Sequence, residues 1–130
     1  MDEFLGYCVI ERADLVAISE SVGIWPFQRI EVGAGWKALP ARIQTAVLLH
    51  EVGHLRKNHQ AKRLLNILTA VFARDRFNAM CRAQEFEADA YAKQCGFGEE
   101  LAALYTALIH TGQDARYPSM DSRIAELRAA

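Results

Sequence analysis

Pro40 to Lys57 reads PARIQTAVLLHEVGHLRK, and this stretch decides the fold. Pro40 marks a helix start, because its fixed φ suits the first turn and its missing N–H has no partner to lose there. From Ala41 to about Lys57, Ile43, Val47, His50 and His54 follow at spacings of four, three and four, one face of an α-helix. The stripe therefore ends in two histidines.

Upstream of that helix, Ala13 to Val22 has the pattern of a short helix, and Trp25 to Gly35 (WPFQRIEVGAG) alternates like a half-buried strand with which Tyr7 to Ile10 can pair. Downstream, Gln60 to about Ala73 and Asn78 to Cys95 read as helices, the second stopped by Gly96. Glu99 to Thr111 is another, ended by Gly112. After Pro118 and Ser119, Asp121 to Arg128 makes a last helix with acid at its start and base at its end, as the macrodipole favours. The expected class is α+β, mostly α, with a small β-sheet or ribbon and about five helices. No repeat, low-complexity tract or Pro/Ser-rich linker interrupts residues 1–130, so one domain is expected.

Composition narrows the function classes. A hydrophobic fraction of 52% with 24% charged residues excludes a disordered tail, a collagen-like repeat and a disulfide-dense miniprotein. Fifteen Lys and Arg against sixteen Asp and Glu give a net charge of −1, so no whole-chain charge draws it to nucleic acid or anionic lipid, and no nucleic-acid partner is expected. The opening MDEFLGYCVIER has no basic region and no small-residue cleavage site, and Cys8, Cys81 and Cys95 form no Cys-x-x-Cys pair. A cytoplasmic protein with reduced, packing cysteines is the expectation. Leu64 to Ala73 (LLNILTAVFA) is about half the length that spans a bilayer and stops at Arg74-Asp75-Arg76, so a buried helix is expected and no membrane span. Between Val52 and Gln84, seven basic residues stand against one acidic, Asp75, a surplus that could favour acidic peptides or nucleic acid but is more often a solvated helix face.

His50-Glu51-Val52-Gly53-His54 is a His-Glu-x-x-His motif inside the helix. Residues i and i+4 project from one face, so both imidazoles can reach one Zn²⁺, while Glu51, about 100° round the helix, lies beside the metal's open position. Catalytic zinc takes three protein ligands and leaves a fourth position for water. A metzincin would carry Gly and His where this chain has Lys57 and Gln60, which excludes that subclass. His59 is off the ligand face. A carboxylate from a second helix is the other source, and Gln84 to Ala92 (QEFEADAYA) offers Glu85, Glu87 and Asp89. Glu85 and Asp89 share a face, whereas Glu87 is rotated about 200° from Glu85 towards solvent. Glu85 is the expected third ligand. Asp89, one turn on, is placed to accept the free imidazole N–H of a zinc histidine, His50. The small residues Ala83, Ala88, Ala90 and Ala92 favour close packing of this helix on another.

With these residues in view, the chain resembles metallopeptidase family 48, the gluzincin family that includes HtpX and the CAAX prenyl endopeptidases. The resemblance covers LLHEVGHLRKNH, EFEADAYAKQCGF and YPSMDSRIAEL, three blocks in the family's order across most of Val47 to Leu127. It implies a zincin-like fold, one zinc per chain held by His50, His54 and Glu85, Glu51 as general base, and Asp89 as the supporting carboxylate. The family's third block carries His-Pro and, five residues after the proline, Arg, groups that steady the tetrahedral intermediate; Tyr117-Pro118 and Arg123 stand there, so Tyr117 replaces the histidine. A phenol, like an imidazole, can donate a hydrogen bond to an oxyanion.

Most of the family carries transmembrane helices, and this chain is similar to its short forms, the minigluzincins. On that likeness Phe27 to Val32 is the substrate-aligning strand edge. The implied activity is a zinc metalloendopeptidase: the metal lowers the pKa of its bound water towards about 7, and Glu51 takes the proton and passes it to the leaving amine, with a peptide or protein as substrate. Two other readings compete. An ImmA/IrrE-type regulatory protease pairs a similar helix with Glu-x-x-x-Asn, against which Asp89 argues. An inactive or latent zinc-stabilised module would only capture a peptide or protein partner.

Overall fold

The computed structural model describes residues 2–109 and 114–130. A two-residue turn at Leu5 and Gly6, both at positive φ (49° and 87°), joins β1 (Asp2–Phe4) to β2 (Tyr7–Glu11) as an antiparallel hairpin. Gly6 takes that conformation at no steric cost, and the right-handed strand twist favours a turn of this kind. β3 (Ser19–Val22) and β4 (Arg29–Val32) complete a four-stranded sheet in the order β1-β2-β4-β3, with β2 and β4 parallel and the other pairs antiparallel.

Tyr7 to Ile10 thus does pair with the strand it was expected to meet, Val9 lying opposite Ile30. Two expectations fail here. Ala13 to Val22 forms no helix: residues 19–22 are an edge strand, and the backbone before them is tied to β4 by Arg12 N–H to Val32 O at 2.9 Å and Gly33 N–H to Ile18 O at 2.9 Å. Pairing across strands overrides a weak local helical pattern. The strand read over Trp25 to Gly35 shrinks to Arg29–Val32 and lies inside the sheet, so Phe27 to Val32 offers no free edge. The edge strands are β1 and β3, and on β3 Gln60 Nε2 donates to Ser21 O at 3.2 Å.

The helices that follow are α1 (Ala34–Lys37), α2 (Ala41–Arg56), α3 (His59–Leu65), α4 (Ile67–Phe72), α5 (Arg74–Gln94), α6 (Gly98–Ala107) and α7 (Met120–Arg128), which makes seven among the described residues where about five were expected. The class is α+β, mostly helical. The expected Gln60–Ala73 helix breaks at Asn66, whose side-chain amide donates to Lys62 O at 2.8 Å and closes the first piece. α5 begins four residues earlier than the expected Asn78. The helix expected over Glu99 to Thr111 ends earlier, at Ala107; the expected stop at Gly112 lies outside the described residues. Ser119 caps α7, its hydroxyl accepting from Ser122 N–H at 3.2 Å.

α2 runs through the middle of the protein, and Ala46 to Leu55 is buried without interruption. Leu48, Val52 and Leu55 pack with Val9, Ile30 and Val32 of the sheet. Ala46, Val47 and Leu49 pack on the opposite side with Ala92, Leu101, Ala102, Tyr105 and Leu127 from α5, α6 and α7. A helix covered on both sides is apolar around most of its girth, so the polar groups it buries must find partners within the protein.

Leu64 to Ala73, expected to be buried, is not. Leu64, Leu65, Ile67, Leu68, Val71 and Phe72 are all exposed, and α4 buries none of its residues. Cys81 is buried, whereas Cys8 and Cys95 are exposed, so packing accounts for the first thiol only.

Candidate metal centre

Gly53 sets the distance between the two helices that build the site. A Cβ at this position would lie 2.9 Å from Ala88 Cα, 3.0 Å from Tyr91 Cβ and 3.1 Å from Ala88 O. The missing side chain thus lets α2 and α5 cross almost backbone to backbone, with Ala88 and Ala92 fully buried. Ala83 and Ala90, the other small residues of α5, point to solvent.

At that crossing His50, His54 and Glu85 are buried together, with one candidate ligand atom from each lying within 4.8 Å of the others. His54 Nε2 is 3.1 Å from His50 Nε2 and 3.0 Å from Glu85 Oε2, while His50 Nε2 is 3.4 Å from Glu85 Oε1. Behind the imidazoles stand acceptors. His50 Nδ1 is 2.8 Å from Asp89 Oδ1, the partner expected for it. His54 Nδ1 is 2.7 Å from His59 Nδ1, and His59 Nε2 is 3.2 Å from Glu87 Oε2. With carboxylates taking the outer protons, His59 Nδ1 is a lone pair that accepts from His54, and both Nε2 atoms turn lone pairs towards Glu85. Three converging acceptors require a proton or a cation between them. Two imidazole nitrogens and one carboxylate are a donor set suited to Zn²⁺, so the residues present fit the expected metal.

Without a metal a proton fills the role. Burial would lower the pKa of His50, but hydrogen bonds to Asp89 and Glu85 outweigh it and raise the group to about 10. Glu85 is correspondingly held well below the usual carboxylate range by His50 and His54, against the pull of its own burial. His59 moves the other way, to about 4, because burial outweighs the help it gets from Glu87.

Glu51, also buried, accepts from Ser19 Oγ at 2.8 Å. β3 therefore reaches the motif helix directly, its edge lying beside the carboxylate expected to act as base. A cleft of about 820 Å³ runs along this edge, lined by Ile18 to Ser21 on one side, by His50, Glu51, His54 and Glu85, and by Leu104, Tyr117, Pro118 and Met120.

Arg123 and Tyr117 occupy different settings. Arg123 is buried with Nε at 2.8 Å from Asp89 Oδ2 and Nη2 at 2.8 Å from Asp89 Oδ1, and Nη2 also donates to the Tyr105 hydroxyl and lies 3.5 Å from Glu85 Oε1. It holds the carboxylate that holds His50. Tyr105, fully enclosed, donates to Asp89 Oδ1 at 2.6 Å. Tyr117 sits in the turn before α7, partly exposed, and lines the cleft; burial and nearby Glu85 raise its pKa, so it stays a protonated donor at neutral pH.

Sequence reasoning missed Ser19, His59, Arg63 and Tyr105. Arg63 was read as part of a solvated basic face, yet its Nε donates to Gln84 Oε1 at 2.7 Å and its Nη2 lies 3.4 Å from Glu85 Oε2. Glu87 does face solvent, as its rotation predicts, but its carboxylate reaches back to His59. The one local signal for His59 is Asn58, a residue tolerant of the left-handed conformation it adopts (φ 54°), which turns the chain so that the next side chain folds over His54. No helix is long and apolar enough to cross a membrane among the described residues. No protein family, characterised protein or solved structure matches this chain.

Proposed function

We propose that the chain is a zinc-dependent metalloendopeptidase, a short member of metallopeptidase family 48. The observation that carries this reading is the convergence of His50 Nε2, His54 Nε2 and the Glu85 carboxylate beside Glu51, in a cleft bordered by the edge strand β3. His50, His54 and Glu85 would hold the metal. A bound Zn²⁺ supplies Lewis acidity, which polarises a carbonyl and makes water easier to deprotonate at neutral pH.

The protein's own groups do the rest. Glu51 takes a proton from the water that attacks the scissile carbonyl carbon, and delivers it to the nitrogen as the C–N bond breaks. The bond from Ser19 Oγ fixes the orientation of that carboxylate. Asp89 and His59 accept the outer imidazole protons and so keep both Nε2 lone pairs directed inward. The β3 edge, and not Phe27 to Val32, aligns the substrate backbone by adding a strand. Tyr117, on the cleft, donates to the developing oxyanion in place of the family's histidine, and Arg123 acts through Asp89 and Glu85 as a positioning residue.

Purified wild-type protein and Glu51→Gln test this together, by metal analysis and an unbiased peptide-cleavage profile. The expected result is one zinc in each and cleavage by wild type alone. A zinc-loaded wild type that cuts nothing in a broad peptide library would refute the enzyme reading in favour of a peptide-capturing module. Equal cutting by Glu51→Gln would refute the assigned base.

A further inference from the structure

α3 and α4 carry their amphipathicity inside out. Asn66, Thr69, Ala70 and Ala73, spaced three, one and three apart, form the half-buried face, while the large apolar side chains of residues 64–72 all point outward. Leu65 and Phe72 are 84% and 83% exposed. A helix whose small and polar face meets its own protein and whose leucines meet the surroundings has a second apolar medium to satisfy.

The charges around the face indicate which medium. Lys57, Lys62, Arg74 and Arg76 are exposed and make no ion pair among the described residues, and Asp75 is the one acidic residue from Val52 to Gln84. The basic groups bracket the apolar stretch at both ends. Six residues of α4 are about 9 Å long, too short to cross a bilayer and suited to lying in its interface.

We propose that the outward face of α3 and α4 docks the protein on an anionic membrane surface. Leu65, Leu68 and Phe72 enter the boundary between headgroups and acyl chains, and Lys57, Lys62, Arg74 and Arg76 meet the lipid phosphates. The net charge of −1 does not oppose this, because the attraction acts within a Debye length of the patch. The proposal stands independently of the metal and of peptidase activity.

Co-sedimentation of the full chain with vesicles of phosphatidylcholine, alone or mixed with phosphatidylglycerol, tests it. Binding to the mixed vesicles is expected to be at least about tenfold tighter than to the neutral ones. Leu65→Asp/Phe72→Asp should weaken it about tenfold or more, and Arg74→Glu/Arg76→Glu should erase the preference for the anionic lipid. All four side chains are exposed, so melting temperatures should match wild type and show that the variants fold. Absence of wild-type binding would overturn the proposal, as would binding that survives Leu65→Asp/Phe72→Asp. A dimer dissolved by that variant, with no affinity for vesicles, would also overturn it and assign the face to a second copy of the chain.

Discussion

Gly53→Ala probes the contact on which the site depends. The added methyl would meet Ala88 Cα at 2.9 Å and Ala88 O at 3.1 Å, backbone atoms that can move only if α5 moves. Overpacking that shifts backbone costs about 1–3 kcal/mol, and contact with a helix backbone belongs at the upper end. Against this, alanine gains about 1 kcal/mol over glycine in a helix interior. The net is a loss of about 1–2 kcal/mol, or a fall of roughly 3–8 °C in melting temperature for a chain of this length. Glu85 lies about one turn before Ala88 on α5 and Asp89 directly after it, so displacing the helix opens the 3.0 Å and 3.4 Å approaches of Glu85 to the two imidazoles. Zinc affinity should fall about tenfold or more along with stability, measured by urea titration of the metal-free protein and by competition with a chromogenic chelator. A variant as stable as wild type with unchanged zinc affinity would refute the argument that the crossing distance is set by Gly53.

Other perturbations separate the layers of the site. Asp89→Asn should lower zinc affinity about 10–100-fold, by loss of the group that orients His50; an unchanged affinity in chelator competition would sink that role. Arg123→Met leaves Asp89 buried without its cation and should destabilise the fold by about 3–5 kcal/mol in urea unfolding, whereas a loss below 1 kcal/mol would mean that Tyr105 and His50 suffice. Ser19→Ala should reduce kcat/KM about tenfold at unchanged zinc content, a result overturned if metal is lost instead. In metal-free protein, His50 ionises near pH 10 when folded and near its ordinary 6.5 when unfolded. Its contribution to stability is therefore complete below pH 6.5 and is lost as pH rises towards 10. Urea midpoints of chelator-treated protein should fall across that window more steeply than those of His50→Gln, and parallel profiles would refute the raised pKa.

The parts of the site that were legible in the sequence lie within single helices. His50 and His54, or Glu85 and Asp89, are fixed relative to one another by a period of 3.6 residues, and the structure brings these two pairs together. Ser19 was invisible because its approach to Glu51 depends on how the sheet packs on α2, over a separation that no local pattern encodes. The edge strand was misassigned for a related reason. Alternation marks Arg29 to Val32 as a strand but says nothing of its neighbours, and the order β1-β2-β4-β3 places it between two others. Leu64 to Ala73 was read as buried from its composition, although hydrophobicity alone does not say on which side of a helix the protein lies.

Arg123 also bears on when the site comes into being. Its bonds to Asp89 cross 34 residues and come from the last helix. During synthesis the motif helix and α5 emerge first, with Asp89 lacking its cation and Leu127 not yet available to close the core under Ala46 and Leu101. The cluster of His50, His54 and Glu85 is therefore backed by its full set of partners only once α7 has followed α5 out of the ribosome. A chain broken off before Arg123 carries every proposed ligand and still lacks the means to hold them in place.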